Sequence, residues 1–173
     1  ITLDFANEKP DGISWLGVDL QTAIQTSSPK FNAPGWHLRL KQGYVSTNGA
    51  SALVISNPDF DATTEAPVEG KYVADTVYDP TGPAPEDTYN SAMMDWFTYH
   101  FFEDHLLEPN PMVFVIKTAD SHYVKLKFLD YIKDGKAIRL VKEKNFFGRE
   151  VWKKRAVKVM EPDGKIHVVF RVA

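Results

Sequence analysis

Residues 112–131 read MVFVIKTADSHYVKLKFLDY, and this stretch decides the fold. Met112 to Ile116 is an unbroken apolar run of strand length, rich in β-branched and aromatic residues. Ala119-Asp120-Ser121 then supplies turn chemistry. From Tyr123 to Phe128 the pattern alternates, with Val124, Leu126 and Phe128 on one face and Lys125 and Lys127 on the other. A period of two places the first set on a core and the second in water. One strand reads as buried on both faces and the next on one, so the pair is expected near the middle of a sheet.

Working outward, the punctuation after this hairpin is regular. Asp134-Gly135, Phe147-Gly148 and Asp163-Gly164 separate the strand-like runs Ala137–Lys142, Glu150–Met160 and Lys165–Val172, which reads as a β-meander. Before it, Trp36 to Lys41 alternates with Trp36, Leu38 and Leu40 inward. Gly43 to Thr47 leads to Asn48-Gly49, a strong hairpin motif, and Ser51 to Ser56 is the expected return strand. Residues 1–35 read as an irregular segment with an edge strand in Ile13–Leu20 and a helical turn at Gln21–Gln25. Pro58, Pro67, Pro80, Pro83 and Pro85 break the stretch from Asn57 to Asn90. Asp79–Thr88 should be irregular and Lys71–Tyr78 one short strand. A loop of this length in a small domain is more often functional than idle. The expectation is an all-β, single-domain antiparallel β-meander or sandwich over residues 1–173, with at most one short helix.

Composition narrows the function. A chain of 173 residues with 43% hydrophobic and 13% aromatic content can bury a substantial core as one domain. Its formal net charge of −3 lacks the basic excess of a nucleic-acid footprint. Lys153-Lys154-Arg155 reads as a solvated strand face. No apolar run reaches the ~18 residues of a membrane-spanning helix. With no cysteine, disulfides, thiolate metal sites and cysteine nucleophiles are excluded. The chain begins at Ile1 rather than Met, which fits removal of an upstream segment. G-x-S-x-G, H-E-x-x-H, P-loop and G-x-G-x-x-G motifs are absent, so no enzyme class is indicated. Acidic pairs such as Asp59/Asp61 are ordinary loop carboxylates, not a glycosidase dyad.

One stretch departs from ordinary texture. Ser91–Leu107, SAMMDWFTYHFFEDHLL, concentrates Met93, Met94, Trp96, Phe97, Tyr99, His100, Phe101, Phe102 and His105. As a strand it places Phe97, Tyr99 and Phe101 on one face and Trp96, Thr98 and His100 on the other. As a helix it aligns Met93, Trp96, Phe97 and His100. Core packing explains such residues. So does haem ligation, because haem iron accepts imidazole nitrogen or thioether sulfur and its ring stacks on aromatics. Glu103 and Asp104 read as solvated loop acids. His37, His122 and His167 sit among alternating strand residues and read as solvent-facing or locally hydrogen-bonded.

Several segments are similar to one family. Trp36-His37-Leu38-Arg39-Leu40 followed by Val45-Ser46-Thr47-Asn48-Gly49 resembles the early strand and turn of the HmuY-like haemophores, surface or secreted lipoproteins of Bacteroidetes. The segment Val113–Asp120, continuing through Tyr123–Leu126 to Asp130-Tyr131, resembles that family's most characteristic stretch. Trp96 with Tyr99, and Gly164–Phe170, also fit.

The resemblance implies an all-β fold and non-enzymatic capture of haem at the cell surface, for delivery to an outer-membrane transporter. Host haemoproteins are the further partners it implies. It also implies iron held between two side chains, one from a central loop and one shortly after the Trp. The latter position falls at His100 or Phe101, of which only His100 can ligate iron. Lys71–Asp95 contains no His, and its Met residues are Met93 and Met94. The resemblance thus gives His100 and Met94 as metal ligands, with Met93 and His105 in reserve. Trp96, Tyr99 and Phe101 would line the macrocycle. Lys136–Asp163 is longer than the family's final connection. A relative that has lost haem ligation and binds another partner at the surface is the alternative reading.

Overall fold

The computed structural model describes residues 1–6, 16–20, 22, 25–27, 36–41, 43–55, 59–77 and 88–173. The first strands are β1 (Thr2–Ala6), β2 (Leu16–Val18), β3 (Gln25–Ser27), β4 (Leu38–Lys41), β5 (Tyr44–Thr47) and β6 (Ser51–Ile55). Short pieces β7 (Val73–Ala74), β8 (Thr76–Val77) and β9 (Thr88–Tyr89) follow. Then come β10 (Phe97–His100), β11 (Leu106–Pro109), β12 (Val113–Lys117), β13 (Tyr123–Lys133), β14 (Lys136–Lys144), β15 (Glu150–Lys158) and β16 (Lys165–Val172). Helix among the described residues is confined to one 3₁₀ turn, Ser91–Trp96. The fold is all-β and antiparallel, as the sequence pattern predicts.

The decisive stretch is the hairpin β12–β13, paired Phe114 to Leu126 and Ile116 to Val124. It lies inside an eight-stranded sheet ordered β1-β16-β13-β12-β6-β7, with β14 and β15 branching from β13. Flanked by β6 and β13, β12 is buried from Val113 to Ile116. Thr118 orders the connecting turn: its hydroxyl donates to Asp120 Oδ1 at 2.5 Å and accepts from the His122 amide. Ser121 takes a left-handed φ of 65° there.

Along β13, Leu126 and Phe128 are buried, and a bulge between Phe128 and Asp130 leaves Leu129 outward. The lysines of β13 do occupy its other face, but Lys125 is not simply in water. Its ammonium lies 4.2 Å from the Phe60 ring centroid and donates to the carbonyls of Phe60 and Thr63. Arg171 lies 4.3 Å from the centroid of the same ring. The first part of the proline-bearing stretch therefore serves as a cover for the sheet. Lys71–Val77 forms two short strands, β7 and β8, rather than one. Residues 78–87, where an irregular loop is expected, lie outside the described residues, and Thr88 already belongs to β9.

A second sheet, β3-β2-β4-β5, packs over the first. Trp36, Leu38 and Leu40 point inward as expected, joined by Val18 and Val45. Val18, Leu38, Leu40 and Val45 meet Phe114, Ile116, Leu126, Phe128 and Phe170 in one core, while Trp36 is buried apart from it, with the Arg39 guanidinium 5.1 Å from its ring centroid. Here the sequence reading needs three corrections. Asn48-Gly49 closes no hairpin, because β5 pairs with β4 whereas β6 pairs with β12 and β7. The dipeptide is a corner between sheets, held by Asn48 Nδ2 donating to the Trp36 carbonyl. In the N-terminal segment β1 is the edge strand of the large sheet, β2 is internal to the second sheet, and Gln25 lies in β3 rather than in a helical turn. Residues 13–15, 21, 23 and 24, where the rest of those expectations fall, lie outside the described residues.

The third correction concerns the meander. It runs through β13, β14 and β15, but β16 returns to pair with β13 and β1. Asp134 and Gly135, with φ of 52° and 73°, make the two-residue turn from β13 to β14. The ladder between β14 and β13 is confined to Lys133–Lys136, with Arg139 reaching back to Asp130, and β14 then leaves with β15 as a nine-residue-long ribbon.

Candidate functional site

The aromatic stretch resolves into a 3₁₀ turn followed by a hairpin, neither a single strand nor an α-helix. Asn90 starts the turn, its Oδ1 accepting from the Ala92 amide at 3.2 Å. Its Nδ2 donates to the Val73 carbonyl and to Asp75 Oδ1. Asp75 also accepts from the Ser46 hydroxyl and from the amide and hydroxyl of Thr47. Ser46, Thr47 and Asn90 are fully buried, so this carboxylate meets donors that have no access to water.

Trp96 ends the turn in the core, 4.3 Å from Phe128 between ring centroids, and its indole N–H donates to the Gly43 carbonyl at 2.8 Å. A Cβ at Gly43 would meet the Phe97 ring at 2.4 Å, so a larger residue there displaces that ring. Met93 is fully buried in the same core. The turn thus spends its two bulkiest inward residues on packing.

The hairpin β10–β11 pairs Phe97 with Pro109, Thr98 with Glu108, Tyr99 with Leu107 and His100 with Leu106. Asn110 ties its base, bonding Thr98 Oγ1 and the Asp95 carbonyl. Alternation puts His100 and Thr98 on one face and Tyr99 on the other. His100 Nε2 is 2.8 Å from Glu108 Oε2, and Lys154 Nζ bridges both Glu108 oxygens at 2.6 and 2.7 Å. Partial burial pulls the Glu108 carboxyl up, but the bonds from Lys154 and His100 outweigh it and leave it below its ordinary value.

The tip, Phe101–His105, carries consecutive left-handed residues, Asp104 at φ 56° and His105 at φ 55°. That turn brings His105 back against β10. Its Nδ1 is hydrogen-bonded to the Tyr99 hydroxyl, and its ring lies 4.8 Å from Phe101. Phe102 stacks edge-on to Phe101 at 5.1 Å and is 93% exposed. Tyr99 and Phe101 are also exposed.

Both acids of the tip are anchors; Asp104 is solvent-exposed, as the sequence reading expected, whereas Glu103 is half-buried. Glu103 accepts from Arg155 Nη1 and from the Ala156 amide, fastening the tip to β15. Asp104 accepts from Lys136 at 2.6 Å, and that bond holds its carboxyl below the usual range.

The structure therefore divides the predicted residues. Tyr99, Phe101 and His105 come together at the exposed tip, with Phe102 as the member the sequence reading left out of the site; the Phe101-Phe102 pair was its cue. His100 sits on the opposite face with Glu108. Met93 and Trp96 are core residues, removed from any surface site because hydrophobic burial claims them first. Met94 is partly buried on the 3₁₀ turn. No group of three or more His, Asp or Glu side chains is placed to hold a metal among the described residues. An open cleft along Tyr123, Val124, Leu129 and Val172 contains none of the predicted site residues.

Comparison with known proteins agrees with the fold. The chain resembles an apo HmuY analogue of Tannerella forsythia at 15% identity, with 99% of this chain and 94% of that one covered and a TM-score of 0.58. It also resembles a Bacteroides vulgatus protein assigned as HmuY-like and heme-binding, at 16% identity, 98% and 89% coverage and a TM-score of 0.58. A Bacteroides fragilis protein assigned as a lipoprotein matches at 17% identity, 96% and 87% coverage and a TM-score of 0.52. No curated protein matches the sequence. The HmuY protein family matches residues 13–142, most of the chain, and the protein belongs to that family.

Proposed function

We propose that this protein binds haem without catalysing a reaction, at the exposed tip of the β10–β11 hairpin. The observation that carries this reading is the contact between Tyr99 and His105 within a ring cluster open to solvent. Axial ligands to haem iron orient through a hydrogen bond on their second ring nitrogen. Tyr99 occupies Nδ1 of His105, which leaves Nε2 for iron. Phe101 and Phe102 supply apolar faces for the macrocycle. This assignment moves the leading ligand from His100, which lies on the opposite face from the exposed rings with its side chain only 17% exposed, to His105. Met94, partly buried on the 3₁₀ turn, stands as the second candidate. Haem, when bound, supplies an iron whose axial positions accept these donors; the protein supplies orientation and shielding from water.

Family membership and the likeness to a lipoprotein support a place at the bacterial surface, with haem passed to a membrane transporter. Haemin titration, followed from the Soret band to the visible region with and without dithionite, tests the reading. A saturable low-spin spectrum lost in His105→Ala and retained in His100→Ala is the expected result. A flat response would favour a family member without haem ligation, a reading that the burial of Met93 also favours.

A further inference from the structure

The β14–β15 ribbon is unlike the rest of the chain. Of the 20 Lys and Arg in the sequence, nine lie between Lys136 and Lys158, against two of the 23 Asp and Glu. Lys136, Arg139, Lys154 and Arg155 are paired with Asp104, Asp130, Glu108 and Glu103 outside the ribbon, so the positive charge left for a partner gathers toward its tip, at Lys144 and Arg149. At its end, Phe146 and Phe147 are 97% and 81% exposed and stack edge-on at 5.5 Å. Trp152 and Leu140, on one face of the ribbon, are also exposed.

The tip is ordered. Asn145 Oδ1 accepts from the amides of Phe147 and Arg149 at 3.0 Å, and the Asn145 amide donates to the Arg149 carbonyl. Gly148 takes φ 72° to complete the turn. Two phenyl rings are thus held out from the end of a rigid turn, where no part of this core reaches them. The match to the HmuY family model ends at residue 142, so the tip lies beyond the matched residues.

We propose that this ribbon is a membrane-docking arm, inserting Phe146 and Phe147 into the interface of an anionic lipid bilayer. The spacing fits that occupant. Trp152 lies two residues behind the last ribbon pair, Lys144–Glu150, or ~7 Å along the strand. Interfacial apolar segments sink about 5–10 Å, which sets Trp152 at headgroup level with the phenyl rings deeper. Lys144 and Arg149 flank the tip, where they meet lipid phosphates. Glu143 and Glu150 pair with Arg155 and Lys142 and stay compensated on the ribbon itself.

The test is flotation of the intact protein with phosphatidylcholine vesicles, with and without phosphatidylglycerol. Binding to the anionic vesicles alone, falling with salt, is expected. Phe146→Ser/Phe147→Ser should lose about tenfold or more in vesicle affinity while keeping the native circular dichroism. Lys144→Glu/Arg149→Glu should weaken binding as well, and His105→Ala should leave it unchanged, which separates this proposal from the haem reading. Absence of binding by the intact chain would overturn it. So would binding that the serine variant retains in full, since that is charge adsorption without insertion. Capture of an acidic protein by the ribbon, with no vesicle binding, would reassign it to protein docking.

Discussion

Tyr99 and His105 face each other across the β10–β11 hairpin, hydroxyl to Nδ1, with ring centroids 5.9 Å apart. The pair exists because Asp104 and His105 both take left-handed backbone, turning the imidazole back toward the strand. Removing the hydroxyl tests what that contact does. Tyr99→Phe should weaken haemin binding roughly ten- to a hundredfold, the usual effect of deleting a bond to a metal-ligating imidazole. A titration with unchanged affinity would mean that the iron lies elsewhere.

Trp96 is a structural residue in this reading. It is fully buried, stacked against Phe128 and bonded to the Gly43 carbonyl. Trp96→Ala should cost about 3–5 kcal/mol in urea-induced unfolding. A loss of haem affinity without a loss of stability would make it a ligand-lining residue instead.

Asp75 is a second fixed point, accepting from Ser46, from Thr47 twice and from Asn90. Asp75→Ala leaves those buried donors without an acceptor and should destabilise by about 3 kcal/mol. Thermal melts at neutral pH read the change.

In the central turn, the Thr118 hydroxyl and then the His122 imidazole hold the Asp120 carboxyl down at about 2, against an ordinary 3.8. The folded value lies below the unfolded one, so the contribution is complete above the ordinary value and fades as pH falls from there toward about 2. A carboxyl titration of Asp120 by NMR should give a midpoint near the lower figure. Thr118→Val should move it upward.

Ser121 holds φ at 65° in the same turn. Ser121→Gly relieves a left-handed penalty of about 1–2 kcal/mol and gives part of it back as chain entropy, so a gain of about 0.5–1 kcal/mol is expected. Denaturant midpoints of the two proteins decide it.

The sequence by itself determined the strands of residues 112–172 and their turns. Alternation along Tyr123–Phe128 and the positive-φ residues at Asp134-Gly135 and Gly164 act within a few bonds, so local pattern reads them correctly. It also located the aromatic stretch that carries the candidate site and the family to which the chain belongs. Tertiary structure decided the rest. Asn48-Gly49 has hairpin chemistry, yet it became a corner because β6 gains more by joining β12 in the buried sheet. β16 leaves its sequence neighbour β15 for β13 and β1, a choice made by burial of Val168 and Phe170. Strand register placed His100 with Glu108 and away from Tyr99, and two left-handed residues then delivered His105 to the open tip. Such outcomes depend on which surfaces compete for the core, and no short window of sequence contains that competition.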